Sequence, residues 1–434
     1  MRTIIDRNIA RLEESIRALK SRRNELSPIS RLPVEILCNI FKFSLPGPAL
    51  FESLTRRPES WTNFGQVSQH WRSSALSAPG LWTNIPLKYP RWAQEMLIRS
   101  KMAKLTIRLG SSPSLETEAP KTIETVRSCL YEMNRVEEIE LSGISGWILD
   151  EIFQDLPKSA PQLHTLYIRP YYTAGFGFLI HEDFLYDTEH LQRVELINCK
   201  ISWESRLLTG LTHLTLQDSD SLEGNSSIIQ LLHALQRMPA LTELHLRGSI
   251  LDNLEGPSTY VVVDLPCLQV LNISSDVGPL TAVLRHITFP SSATLKLTCK
   301  ENQSTQVDFS NFFSVLATKF LSTLVIRSLS LRDSDACDDE IHGLEFYLWT
   351  SDCFPSSPYS RPQLLLVLTW PSSQPHNYVR VLTCAFNAMS LSFLTRLQIS
   401  MSDYIDSQTW VTTFGKLPLL ERVCVQSLCT ELVP

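Results

Sequence analysis

The sequence predicts an α+β chain in three parts: an N-terminal amphipathic helix, a small all-helical module, and a long α/β region whose short strands form a parallel sheet. Three observations carry this reading. Residues 1–26 repeat apolar side chains in alternating steps of four and three. Residues 27–87 hold a proline-started helix with an unusually broad apolar arc. Across residues 90–434, apolar side chains at offsets 0, 3 and 5 recur in ten full copies.

Composition narrows the function classes. Hydrophobic residues make up 43% of 434, so the chain can bury a core. Charged residues are only 19%, below the roughly 25% of an average soluble protein, as expected where repeats hide surface against each other. A net charge of −6 argues against broad electrostatic binding to nucleic acid. No apolar run approaches the ~18 residues of a membrane span. Residues 1–7 are broken by Arg2, Asp6 and Arg7, unlike a secretory leader. The expectation is therefore an intracellular protein, cytoplasmic or nuclear, with no membrane contact. Ten scattered cysteines without a C-x-x-C pair suggest reduced, packed thiols rather than zinc ligands or a disulfide framework.

In the first part, Ile5, Ile9, Leu12, Ile16, Leu19 and Leu26 mark a coiled-coil seam that Arg23 interrupts. The segment carries seven basic residues against four acidic ones, so it is +3 while the remainder is −9. Such a seam suits pairing with another helix, which makes self-association one expectation. Docking on the chain's own body is the other. Ser27-Pro28 ends the helix.

In the second part, Pro33 fits a helix start because its missing N–H is no loss there. At 100° per residue, Val34, Ile36, Leu37, Ile40, Phe41, Phe43 and Leu45 cover roughly 200°. A helix so short and so apolar has two surfaces to bury. One is a small core expected from Phe64, Val67, Trp71, Leu76 and Trp82, and the other is a partner or the next domain. Leu32-Pro33-x-Glu35-Ile36-Leu37-x-x-Ile40-Phe41, followed by Val67-Ser68-Gln69-His70-Trp71-Arg72 and Pro79-x-Leu81-Trp82, resembles an F-box. With the heptad helix in front, the arrangement is similar to F-box proteins of mushroom-forming fungi. The loop between Phe43 and Phe64 is longer than that pattern, and Ser68 and His70 stand where Cys and Arg are common. The resemblance implies that Leu32, Pro33, Glu35, Ile36, Leu37, Ile40, Phe41, Val67 and Trp71 bind a Skp-type adaptor, and through it a cullin.

In the third part, the copies run from Met102/Leu105/Ile107 through Val136/Ile139/Leu141, Leu163/Leu166/Ile168, Leu191/Val194/Leu196, Leu211/Leu214/Leu216, Leu241/Leu244/Leu246 and Leu268/Leu271/Ile273. Leu321/Leu324/Ile326, Leu394/Leu397/Ile399 and Leu420/Val423/Val425 complete the ten, with weaker copies at Leu295/Leu297 and Leu366/Leu368. Most intervals are 20 to 34 residues, near the period of leucine-rich repeats. Offsets 3 and 5 are same-face positions of a strand. Helix-like segments such as Ile228–Leu235 would return the chain to the next strand, building a solenoid with its parallel sheet on the concave face. Arg332–Pro362 reads as a long loop.

No glycine-rich nucleotide loop, H-E-x-x-H or G-x-S-x-G occurs, so no enzyme, cofactor or metal is expected. His181-Glu182-Asp183 with His190 matches no defensible metal spacing and reads as a solvated loop. Trp147, Trp203 and Trp410 read as packing residues. On the outward strand positions, Tyr167, Arg193, His213, His245 and Arg247 combine an aromatic anchor with donors, which suits an unidentified target protein. The acidic loop Asp333, Asp335, Asp338, Asp339 and Glu340 is the competing target contact. The resulting expectation is the substrate receptor of a Skp–cullin–F-box ubiquitin ligase, with a non-ligase F-box scaffold as the alternative.

Overall fold

The computed structural model describes residues 1–44, 63–87, 89–110, 115–171, 178–217, 228–248, 261–300, 309–334, 341–352, 361–371, 377–401, 410–411, 413–415 and 417–425. Contacts divide the chain into two units, Met1–Ile144 with Ile148–Leu163, and Ser145–Trp147 with His164–Pro434. The first holds the N-terminal helices and the second a large, mostly parallel sheet.

The first unit opens with α1 (Arg2–Glu25), followed by a 3₁₀ turn at Pro28–Arg31 and α2 (Val34–Ser44). Then come α3 (Gln69–Ser77), β1 (Asn84–Pro86), α4 (Pro90–Ser100), β2 (Leu105–Leu109), α5 (Leu115–Leu130), β3 (Val136–Ile144) and α6 (Gly146–Phe153). β1, β2 and β3 pair in parallel, with Ile85 beside Ile107 and Ile107 beside Ile139, all buried. The segment expected to be all-helical thus ends in a strand. Three residues are too few to display a period of two, so the sequence does not announce it. Met102, expected inward, is exposed: the chain leaves α4 through Lys101 at φ 51, and Met102 falls in that turn. Arg135 is buried at the start of β3. It donates to Ser100 Oγ at 3.0 Å and the Ala103 carbonyl at 2.9 Å, and pairs with Glu132 at 3.0 Å, which ties α4 to β3.

In the second unit the chain runs β4 (Thr165–Pro170), β5 (Phe178–Ile180), β6 (Arg193–Ile197), β7 (Cys199–Ile201), β8 (His213–Gln217), α7 (Ile228–Gln236), β9 (Glu243–Arg247), β10 (Val263–Asp264), β11 (Val270–Asp276), α8 (Val277–His286), β12 (Ile287–Thr288) and β13 (Thr294–Lys300). Strands β4, β6, β8, β9, β11 and β13 lie side by side in chain order and parallel. Their registers align Leu166, Val194, Leu214, Leu244, Leu271 and Leu295 in one buried row. Each such side chain contributes roughly 1.5–3 kcal/mol on burial. The short pairs β5–β7 and β10–β12 stand apart from this sheet, also in parallel.

Beyond β13 the order changes. After α9 (Phe309–Lys319) come β14 (Ser328–Asp333), β15 (Ile341–Trp349), β16 (Leu364–Pro371), α10 (Asn377–Ala388), β17 (Arg396–Ser400) and β18 (Arg422–Val425). The sheet order is β13-β16-β15-β14-β17-β18, and β15 is antiparallel to both neighbours. The all-parallel expectation is therefore corrected here, as is the loop at Arg332–Pro362, which contains β15. Leu344, Phe346 and Leu348 alternate inward along it and are fully buried. Gly343 is required there: a Cβ would lie 2.8 Å from the Leu368 carbonyl oxygen and 2.9 Å from Ser334 Cβ. The Leu321/Leu324/Ile326 copy is also corrected. Leu321–Thr323 is a 3₁₀ turn, and Leu329 and Leu331 supply the inward positions of β14. At β18, Val423 and Val425 are exposed rather than buried, because this strand pairs only with β17 among the described strands.

Of the three tryptophans expected to pack, Trp203 is buried and Trp410 is half-buried against Phe414, but Trp147 is exposed. The described cysteines are free thiols, and burial pushes that of Cys129 up to about 12.

Candidate protein-interaction surfaces

The helical module is organised by α2. The Pro33 carbonyl accepts the Leu37 N–H at 3.1 Å and so opens the first turn. From there, 100° per residue puts Leu37, Cys38 and Phe41 on one face and Ile36, Ile40 and Phe43 on the opposite one. The first face is the core. Leu37 and Phe41 are 0% and 1% exposed, enclosed with Phe64, Ala75, Leu81, Trp82 and Met96. Phe41 stacks on Phe64 with ring centres 4.5 Å apart, and its ring centre lies 5.2 Å from that of Trp71. Ser68 caps α3 by accepting the Trp71 N–H at 3.1 Å, and Trp82 Nε1 donates to the Ala75 carbonyl at 2.9 Å. Cys38 lies against Ser74, and burial raises its thiol pKa.

The second face is exposed among the described residues. Ile36, Ile40 and Phe43 are 46%, 36% and 91% exposed. Spaced i, i+4 and i+7, they form one stripe along the helix. Pro33, Val34 and Glu35 are exposed beside its start, and Leu32 is half-buried. The nine residues expected at the adaptor therefore separate. The side chains of Leu37 and Phe41 are closed inside the core, Trp71 packs half-buried against it, and Pro33, Glu35, Ile36, Ile40 and Val67 face outward. Val67 and Leu76, expected in the core, are exposed; Ala75, Leu81 and Met96 take those places, with Trp92 packed against them. Phe43 was legible in the apolar arc but not as a surface residue. The i, i+4, i+7 spacing from Ile36 is the signal that marks it.

A second polar surface lies on the outward side of the second unit's sheet. One register row runs Tyr167, Glu195, Thr215, His245, Asn272, Lys296, and the adjacent row runs Thr165, Arg193, His213, Glu243. Arg247 is exposed beside Gln217 and Ser274. All five residues expected at a target thus share one face. Arg193 pairs with Glu195 at 3.1 Å, while His213 and His245 flank the Glu243 carboxylate at 3.7 and 3.8 Å. Asn272 Nδ2 stands 3.2 Å from His245 Nδ1. Burial, and then the Arg193 charge, hold the His213 pKa below its ordinary value; Glu243 and Glu195 oppose this.

Sequence reasoning missed a third group, because β15 reads as loop. The Arg332 guanidinium lies 5.0 Å over the Tyr347 ring, and the Tyr347 hydroxyl donates to Glu345 at 2.6 Å. The alternation of Leu344, Phe346 and Leu348 was the available clue. Of the acidic loop, Asp333 ends β14, and Asp335, Asp338, Asp339 and Glu340 lie outside the described residues. Among the described residues no group of three or more His, Cys, Asp or Glu is placed to hold a metal ion, and no helix is long and apolar enough to cross a membrane.

A small helical core with one apolar helix face left open defines a protein–protein interaction module. The sequence profile of the F-box-like family matches residues 29–88, the same segment, so the chain carries an F-box-like domain there. Domains of this kind typically bind Skp-type adaptors. No curated protein and no solved structure matches the chain.

Proposed function

We propose that this protein is the substrate receptor of a Skp–cullin–F-box ubiquitin ligase. The observation that carries the reading is the coincidence of the F-box-like match with the open stripe Ile36, Ile40 and Phe43. The stripe, with Leu32, Pro33, Glu35 and Val67, holds the adaptor and through it the cullin. The outward face carrying Tyr167, Arg193, His213, His245 and Arg247 holds the target protein. No bond chemistry is assigned to this chain. It acts by tethering, which raises the effective concentration of target lysines near the ubiquitin-charged enzyme.

Affinity purification of the tagged full-length protein from its native cell tests this. Co-purification of adaptor and cullin, lost together on Ile36→Asp with Ile40→Asp, is the expected result. Adaptor without cullin would establish the scaffold reading instead. Neither protein in the wild-type sample would end both the ligase and the scaffold readings.

A further inference from the structure

α1 is the longest helix described and buries none of its residues. Its seam is nonetheless regular. In heptad terms Arg2, Ile9, Ile16 and Arg23 occupy a, and Ile5, Leu12, Leu19 and Leu26 occupy d. Ile5, Ile9, Leu12, Ile16, Leu19 and Leu26 are between 49% and 70% exposed. An apolar seam of this kind, interrupted only by Arg23 and about 32 Å long at 1.5 Å per residue, is costly to leave in water.

We propose that a second copy of this chain covers the seam, and that the two α1 helices pair antiparallel. Self-complementarity argues for the second copy. In an antiparallel pair a packs against d, and full overlap places Ile9 on Leu19, Leu12 on Ile16 and Arg23 on Ile5 of the other copy. The central layers are then all Ile on Leu. The flanking e positions are Asp6, Glu13 and Lys20. In this register Asp6 meets Lys20 of the other copy twice, against one contact of Glu13 with its own counterpart.

A parallel pair places Arg23 on Arg23 between the Leu19 and Leu26 layers, and gathers Lys20, Arg22 and Arg23 of both copies at one end. Exposed flanking pairs contribute little, so the seam decides orientation. Two guanidinium groups facing each other in an apolar layer are the larger penalty. Antiparallel pairing places the residues that follow α1 in the two copies at opposite ends of the coil. The inference stands on α1 alone and does not depend on the ligase reading.

Sedimentation velocity on the full-length protein at tens of micromolar is the test. The wild type should be a dimer, and Leu12→Asp with Ile16→Asp should weaken it by at least about a hundredfold. The melting of the F-box-like module and of the second unit should be unchanged, since α1 buries none of its own residues within a single chain. Leu12→Ile should retain the dimer. Orientation is read by oxidative cross-linking: Ile9→Cys combined with Leu19→Cys should give covalent dimers, and Leu12→Cys alone should not. A monomeric wild type, a dimer that survives the Asp pair, or cross-linking through Leu12→Cys would each overturn the proposal.

Discussion

In the F-box-like module a single helix of 11 residues serves two apolar surfaces, whereas strands such as β6 and β8 of the second unit's sheet keep one face for the core and one for solvent. The difference comes from backbone geometry. A strand sends alternate side chains to opposite faces, so apolar and polar positions sort themselves. A helix spreads its side chains through a full circle, and adjacent apolar residues such as Ile36 and Leu37 can diverge by 100°. On α2 an aliphatic side chain therefore means core at position 37 and exposed surface at positions 36 and 40. On β8, Leu214 and Leu216 are buried while His213 and Thr215 are only partly covered. On strands that alternate in this way hydrophobicity identifies the function of a site; in the module it does not.

The sharpest way to break that comparison is to damage both cores. Leu244→Asp ionises a carboxylate in the buried row of the sheet, a penalty of several kcal/mol. We expect it to abolish cooperative unfolding of the second unit, followed by circular dichroism and calorimetry. Phe41→Ala should cost about 3–5 kcal/mol and unfold the module, so that adaptor binding is lost through folding. If Phe41→Ala left the module's melting intact, the division of α2 into core and surface faces would be wrong.

The opposite face separates binding from stability. Ile36→Ala with Ile40→Ala should reduce adaptor affinity by roughly a thousandfold, at about 2 kcal/mol for each buried anchor, with the melting temperature unchanged. Isothermal titration against the purified adaptor reads the first quantity and calorimetry the second. Adaptor affinity within tenfold of wild type would move the binding surface off the stripe.

Arg135→Ala probes a core that depends on polar satisfaction rather than apolar filling. It strips the Ala103 carbonyl and Ser100 hydroxyl of a charged donor, for about 1.5–3 kcal/mol of stability in denaturant titration. The outward sheet residues should contribute least to stability. Arg193→Ala or Arg247→Ala should change it by no more than ~0.5 kcal/mol, since both side chains leave the apolar rows intact. Stabilisation of a target protein in cells by the combined change with Tyr167→Ala would support that face as the receptor surface.

A pH titration gives the smallest effect. Burial, and then neighbouring cations, lower the pKa values of His213 and His286 in the fold from 6.5. The unfolded chain therefore binds more protons just below that value. Stability should fall as pH drops below 6.5 through the depressed folded values, with no change from these groups well above it. His213→Gln should flatten part of that slope; an unchanged slope would remove His213 from the account.

Much of this was legible because it is local. The heptad of α1, the proline-opened α2 and the inward rows at Leu166, Val194, Leu214, Leu244 and Leu271 follow from spacing alone. So does the grouping of Tyr167, Arg193, His213, His245 and Arg247 on one face, since parallel strands in register carry alternation across from one to the next. What failed was non-local. Leu321, Leu324 and Ile326 have the repeat spacing yet form a turn. The strand that follows is placed three positions from β13, and two further strands fill the gap. Nothing in a 0, 3, 5 pattern states which strand will be the neighbour.

By itself the sequence determined that this chain has a seam-bearing helix and a series of strands with one apolar face, because each depends on residues within a turn or a few residues of one another, and its residues from Leu32 to Trp82 carried the resemblance to an F-box. Tertiary structure alone decided that Leu37 and Phe41 are core while Ile36, Ile40 and Phe43 are surface. It also decided that β15 runs antiparallel between β14 and β16, with Gly343 where the backbones crowd. Those outcomes depend on which distant segments pack on an apolar face. A residue's own hydrophobicity sets how strongly it is driven to be covered, but its neighbours in space determine what covers it.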